Sequence, residues 1–212
     1  EKLDKPRVIC VGANIESDVA LRGLIKNRVN VVSLVTLPSK EFDGVSDYVD
    51  LHPLCHSNAI KAIDTKDINS VKTCMQIKNE NPDYIFVLGW SQIFKEELLN
   101  IPNEFVIGSH PSPLPEGRGR APVPWTIIQE KKKSAVTLFK MNKGVDSGEI
   151  LVQKYFDVPN NIYAFELYNI VAYNLCNAFC ELYDNIISNN VELKVQDLKK
   201  STYRGKRTVG DG

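Results

Sequence analysis

The feature that most constrains the fold is a series of short apolar runs without polar alternation. They are Arg7-Val8-Ile9-Cys10-Val11, the β-branched stretch Val29 to Val35, Tyr84-Ile85-Phe86-Val87-Leu88 and Glu104-Phe105-Val106-Ile107. A strand that is apolar on both faces must be covered on both, the situation of a parallel sheet held between helices. Segments of helical period separate the runs. After Gly12, Val19, Leu21, Leu24 and Ile25 recur at helical intervals, and Asn69 stands where it would cap a helix from Ser70 to about Glu80. This rhythm predicts an α/β fold, a Rossmann-like and mostly parallel sheet flanked by helices, over residues 7–115. Further on, the pattern predicts a helix over 124–129, strands over 134–140 and 149–156, and a long helix over 163–187. The stripe Phe165, Leu167, Ile170, Val171, Leu175, Phe179 and Leu182 would pack that helix on the sheet.

A chain of 212 residues suffices for one such domain. The reading divides it into a catalytic domain over 1–190 and a C-terminal extension over 191–212. Lysine plus arginine equal aspartate plus glutamate at 26 each, so there is no net field to hold a polyanion, and nucleic acid is not an expected partner. No window reaches the roughly 18 uninterrupted apolar residues of a membrane helix. The start Glu1-Lys2-Leu3-Asp4-Lys5 is no signal peptide, so a cytoplasmic protein without a membrane partner is expected. Five cysteines with no CxxC pair fit reduced thiols. His52, Cys55 and His56 are the nearest approach to a metal cluster, but no fourth ligand stands at suitable spacing, and no metal is expected.

Chemistry concentrates in the second third of the chain. The apolar run ending at Ile107 leads through Gly108 and Ser109 to His110, and the prolines at 111, 113 and 115 forbid helix or central strand immediately afterwards. His110 therefore falls at the carboxyl end of a strand, where open α/β sheets hold ligands. Asp146 lies in the turn Gly144-Val145-Asp146-Ser147-Gly148. A histidine and an aspartate brought together from two loops suit proton transfer near neutral pH. The alternative is a histidine that merely caps a proline-rich turn. Gly12-Ala13-Asn14 matches neither GxGxxG nor a P-loop and reads as a turn from strand to helix.

Gly108-Ser109-His110-Pro111-Ser112-Pro113-Leu114-Pro115, Gly119-Arg120-Ala121-Pro122-Val123-Pro124-Trp125 and Gly144 to Gly148 stand in the order and spacing of three motifs of the folate-dependent formyltransferases. The chain resembles that family over most of its length. The tail from Lys199 to Gly212 is similar to the Thr-Tyr segment of the amino-sugar and initiator-tRNA members. The resemblance implies transfer of a formyl group from N10-formyltetrahydrofolate to a primary amine, without a metal. It implies that His110 polarises the formyl oxygen and that Asp146 accepts the amine proton, directly or through water. Phe86, Leu88, Gln92, Ile93, Phe94, Asn142, Gly144 and Val145 would hold the pterin. Ser112, Arg118 and Arg120 would bind the acceptor, with a structural role for Arg120 as the alternative.

One position departs from the family pattern: its motif asparagine falls on Gly108. Residues 108 and 110 face the same side of a strand while Ser109 faces the other, so Ser109 does not replace the missing amide. Another donor or a water then fills the gap, activity is reduced, or the glycine opens room for a bulky amine. The acceptor implied is a nucleotide-linked amino sugar of surface-glycan synthesis, since neither the phosphate loop of the purine enzyme nor a tRNA-binding barrel is expected. The alternatives are glycinamide ribonucleotide and a non-catalytic folate-binding module. A homodimer is the assembly considered.

Overall fold

The computed structural model describes residues 5–39, 47–208 and 210. Glu1 to Asp4 of the N-terminal stretch and Val209, Asp211 and Gly212 of the tail motif lie outside the described residues. In chain order the elements are β1 (Val8–Gly12), α1 (Ile15–Lys26), β2 (Val31–Thr36), α2 (His52–Ser57), β3 (Lys61–Asp64), α3 (Val71–Asn79), β4 (Tyr84–Gly89), α4 (Glu96–Leu99) and β5 (Phe105–His110). Then follow β6 (Arg118–Gly119), α5 (Pro122–Ile128), β7 (Lys133–Lys140), β8 (Ile150–Asp157), α6 (Ala164–Ile187) and β9 (Tyr203–Arg204).

Seven strands form one sheet in the order β3-β2-β1-β4-β5-β7-β8. The five from β3 to β5 run parallel, and β7 and β8 continue the sheet antiparallel. This is the α/β architecture the apolar runs predict. Its chain order reverses direction between β1 and β4, the kind of crevice where doubly wound sheets hold ligands. Two apolar layers cover the sheet. On one face Cys10, Phe86, Ile107 and Leu138 pack against Leu21 and Leu24 of α1 and Leu175 and Phe179 of α6. The Phe86 and Phe179 rings lie 5.1 Å apart. On the other face Ile9, Val11, Val87 and Val106 pack against Cys74 and Ile77 of α3 and Leu98 of α4.

The local signals fall mostly in place, with one correction. Asn14 caps α1, its Oδ1 accepting from the Ser17 amide at 2.9 Å. A side chain on Gly12 would collide with the Ser17 hydroxyl, so that glycine is a packing requirement of the strand-to-helix turn. The cap of α3 is Ser70, whose Oγ accepts from the Thr73 amide at 3.2 Å, and not Asn69. Asn69 instead spans to the segment after β4, accepting from the Lys95 amide and donating to the Ile93 carbonyl, both at 2.8 Å. The segment after residue 190 also pairs with the rest of the chain. Lys194 exchanges two backbone hydrogen bonds with Ile150, and β9 pairs with β6. The tail is therefore woven into the same body as the sheet.

Among the described residues no three histidine, cysteine or acidic side chains gather as metal ligands, and no helix is long and apolar enough to cross a membrane. His52 is engaged otherwise. Its Nδ1 lies 2.6 Å from Asp50 Oδ1 and its Nε2 2.6 Å from Asp64 Oδ1, joining the end of β3 to the start of α2.

That clasp gives a pH dependence. Burial pulls the His52 pKa down, but the hydrogen bonds to Asp64 and Asp50 outweigh it and raise it above 6.5. For Asp50, burial is outweighed by the His52 hydrogen bonds, which hold it below 3.8. A raised histidine stabilises below its ordinary pKa and loses that contribution as pH rises through the folded value. A lowered carboxylate stabilises above its ordinary pKa and loses it as pH falls through the folded value. The clasp is thus complete between 3.8 and 6.5. Urea denaturation at a series of pH values should show stability falling as pH rises above 6.5 by a component that His52→Ala removes.

Candidate active site

The carboxyl end of β5 carries the first functional side chain. Val106, Gly108 and His110 project to one side and Ile107 to the other, and β5 is pinned along both edges: Ile107 opposite Phe86 in β4, and His110 opposite Thr137 in β7. The His110 ring is buried at 7% exposure. Its Nε2 lies 2.7 Å from the Gly117 carbonyl, which only a ring N–H can satisfy by donation. Its Nδ1 faces Asp146 Oδ2 at 3.5 Å. The histidine and aspartate singled out in the sequence are thus brought together, each ring nitrogen facing an oxygen.

Asp146 comes from the turn between β7 and β8. Its backbone lies in the left-handed region at φ 51°, which aspartate tolerates better than most residues. The same Oδ2 that faces His110 accepts the Gly119 amide at 3.0 Å. Gly119 has φ 96°, and a Cβ there would collide with the Arg204 carbonyl of the paired β9 strand, so only glycine fits between the tail and the aspartate.

The proposed acceptor residues are placed differently from the expectation. Arg118 turns its guanidinium onto Gln196, with Nε and Nη2 at 3.2 and 2.7 Å from Oε1. Gln196 in turn donates to the carbonyls of Asp146 at 2.8 Å and Gly148 at 2.6 Å. Ser112 is buried and donates to the Glu116 carbonyl at 2.7 Å, shaping the proline-rich loop rather than facing a ligand. Arg120 alone of the three is exposed, and its side chain has no hydrogen bond or ion pair among the described residues. Nothing in the local sequence pointed to Gln196, which lies 50 residues from Asp146.

A cavity of about 220 Å³ lies against β5, bordered by the segments 92–94 and 142–146. Gln92, Ile93, Phe94, Asn142, Gly144 and Val145 line it. Two hydrogen-bonded turns shape its lips. Gln92 Oε1 accepts from the Ile68 amide at 2.9 Å and Trp90 Nε1 at 3.1 Å, and Asn142 Oδ1 accepts from the Gly144 amide at 2.8 Å. Phe86 and Leu88 do not line the cavity. Both are fully buried among the α1 and α6 side chains, because alternate residues of β4 face opposite sides of the sheet. Val87, Trp90, Phe139 and Met141 line it instead. The parity of β4 was enough to select Val87.

Gly108 borders the same cavity, and the space above it is taken. A Cβ at this position would lie 2.8 Å from Met141 Cγ and 2.9 Å from the tip of the Phe139 ring. The expectation of room for a bulky amine is therefore corrected: the chain's own side chains occupy that room. Ser109 Oγ is directed at the Val87 carbonyl at 3.4 Å. Introducing asparagine overpacks this site, which typically costs about 1–3 kcal/mol. Gly108→Asn should lower stability by that amount in urea denaturation, and Gly108→Asn combined with Met141→Ala should recover most of the loss.

Glu16, in the first turn of α1, lies near Asp47 of the segment before α2. Burial, and then the Asp47 charge, push the Glu16 carboxyl up to about 7. The start of α1 thus faces acidic groups where a phosphate cradle would need donors.

Comparison with known proteins accords with the geometry. The chain is 29% identical over 204 residues to the methionyl-tRNA formyltransferase of Thermotoga maritima and 31% identical over 203 residues to that of Ehrlichia ruminantium. These matches cover 93% and 94% of this chain but 64% and 66% of those proteins, so the chain spans about two thirds of their length. An N-formyltransferase from Helicobacter canadensis, solved with folinic acid and dTDP-3-aminofucose, superposes with a TM-score of 0.70 at 24% identity, over 95% of this chain and 71% of that one. Glycinamide ribonucleotide transformylase 1 from Symbiobacterium toebii superposes with a TM-score of 0.73 at 15% identity, over 93% and 99%. The sequence profile described as Formyl transferase matches residues 8–181, and the chain belongs to that family.

Proposed function

We propose that this chain moves a formyl group from N10-formyltetrahydrofolate to the primary amine of a nucleotide-linked amino sugar of surface-glycan synthesis, in the cytoplasm. The observation that carries the reading is the His110–Asp146 pair, 3.5 Å apart at the end of β5. Beside it lies a cavity with apolar walls at Val87, Phe94 and Met141 and peptide groups along both lips. Such a cavity fits a flat heteroaromatic ring that needs apolar contact on its faces and hydrogen bonds at its edges.

The folate supplies an activated formyl group. The residues of the chain supply a donor, an acceptor and their alignment. Attack by a neutral amine places negative charge on the formyl oxygen and leaves an extra proton on the nitrogen. The His110 Nε2–H, which donates to the Gly117 carbonyl in the free protein, turns from that carbonyl to the formyl oxygen and stabilises the charge as it develops, and the Asp146 carboxylate receives the proton. Because Gly108 presents no amide, His110 carries more of the stabilisation than it would beside an asparagine. The backbone pairing of β5 with β4 and β7 fixes the point of the sheet from which the ring acts.

Three observations support the sugar amine. Net charge is balanced, Glu16 at the start of α1 lies beside Asp47, and two structural neighbours were solved with dTDP or a dTDP-linked amino sugar. The names of the sequence relatives favour a second reading, in which the amine is that of methionyl-tRNA.

The test is formyl transfer by the purified chain to dTDP-linked amino sugars, glycinamide ribonucleotide and methionyl-tRNA in parallel. Formylated sugar supports the proposal, and product from methionyl-tRNA alone supports the second reading. Calorimetric binding of a stable folate analogue without turnover on any amine would make the chain a folate-binding module. His110→Ala and Asp146→Ala should each lower kcat at least about 100-fold with little change in folate affinity, since both groups act mainly in the transition state.

A further inference from the structure

We propose that Gln196, held by Arg118, is a positioning residue that sets the orientation of the Asp146 carboxylate. The inference rests on the reading of Asp146 as the proton acceptor. All the hydrogen-bonding capacity of the Gln196 side chain is used, in a site only 5% exposed. Its two N–H bonds go to the carbonyls of Asp146 itself and of Gly148, the last residue of the turn that presents the carboxylate. Its oxygen accepts both Nε and Nη2 of Arg118. Next along the chain from Arg118 is Gly119, whose amide donates to Asp146 Oδ2. The circuit therefore closes on itself, from Gln196 to the Asp146 backbone, from the Asp146 carboxylate to Gly119, and from Arg118 back to Gln196.

Each link holds a degree of freedom that Asp146 would otherwise have. The amide bonds hold the left-handed turn, and the Gly119 bond orients the carboxylate with Oδ2 towards His110. Further hydrogen bonds tie β6 to the tail: the Arg118 amide donates to the Thr202 carbonyl, the Arg120 amide to the Arg204 carbonyl, and the Gly117 amide to Thr202 Oγ1 at 2.8 Å. Arg204 also lies over the Trp125 ring, 5.0 Å from its centroid. The tail thus acts as a brace for the catalytic loops. Its energetic value lies in preorganisation, because a carboxylate displaced by about 1 Å can cost on the order of 100-fold in rate.

A double-mutant cycle between Gln196→Ala and Asp146→Asn tests the inference. Gln196→Ala should lower kcat by at least about 10-fold while the dissociation constant of a folate analogue stays within about 2-fold. In the Asp146→Asn background, with turnover measured at high enzyme concentration, the same change should cost less than about 2-fold, because its target is already gone. Amide exchange over 144–148 should quicken in the Gln196→Ala protein while β1 and β4 stay protected. Gln196→Glu, which retains the acceptor for Arg118 but removes both donors, should lose kcat similarly and replaces the alanine variant if that one fails to fold. Unchanged kcat, or an equal cost in both backgrounds, would overturn the positioning role. Wild-type turnover by Asp146→Asn alone would instead overturn the catalytic reading of Asp146, a separate result.

Discussion

The site depends on the double pairing of β5. This strand is parallel to β4 on one edge and antiparallel to β7 on the other, so it is the seam between the two halves of the sheet. The pairing positions both His110 and the loop of Asp146. His110 is its last residue, and the hairpin that pairs with it through β7 turns at the loop carrying Asp146. A strand fixed on both edges has little freedom to translate, so the distance between the two groups is set by the sheet itself. Thr137 extends the arrangement to the proline-rich loop. Its hydroxyl donates to the Ser112 carbonyl at 2.7 Å and accepts from the Leu114 amide at 3.2 Å, with Gln153 adding a bond at 2.9 Å.

Gly108 shows how one substitution alters the division of labour. Without a side chain at this position, Met141 and Phe139 close over the strand and become walls of the cavity. The space is lost to a ligand, and its polarity changes from amide to thioether and ring. The chain therefore trades a possible donor for apolar surface beside His110. Methionine suits this place, since its flexible, polarizable side chain fills irregular gaps and adapts to the flat face of a ring.

The apolar runs of β1, β2, β4 and β5 were legible because a buried parallel strand has no polar alternation to confuse it. The long helix was legible because its stripe repeats at the helical period over 24 residues. The cap of α3 was less so: Asn69 and Ser70 both have side chains able to accept from the first turn, and only the position of Ile93 and Lys95 decides that Asn69 is engaged elsewhere. Phe86 and Leu88 lie away from the cavity for a simpler reason. The family motif marks the strand without saying which parity faces which layer, and the α1 and α6 layers claim those two residues.

The sequence by itself determined the α/β class, the strand ending at His110 and the turn bearing Asp146, because short-range pattern and proline or glycine chemistry govern each of them. Tertiary structure alone decided that Arg118 turns inward to Gln196, that the tail pairs with β6, and that Gly108 is covered. These outcomes depend on contacts between residues far apart in the chain, such as Gln196 and Asp146 or Gly108 and Met141. Hydrogen-bonding capacity and side-chain volume are local properties of a residue, but the partner that satisfies them is chosen by the packing of the whole sheet.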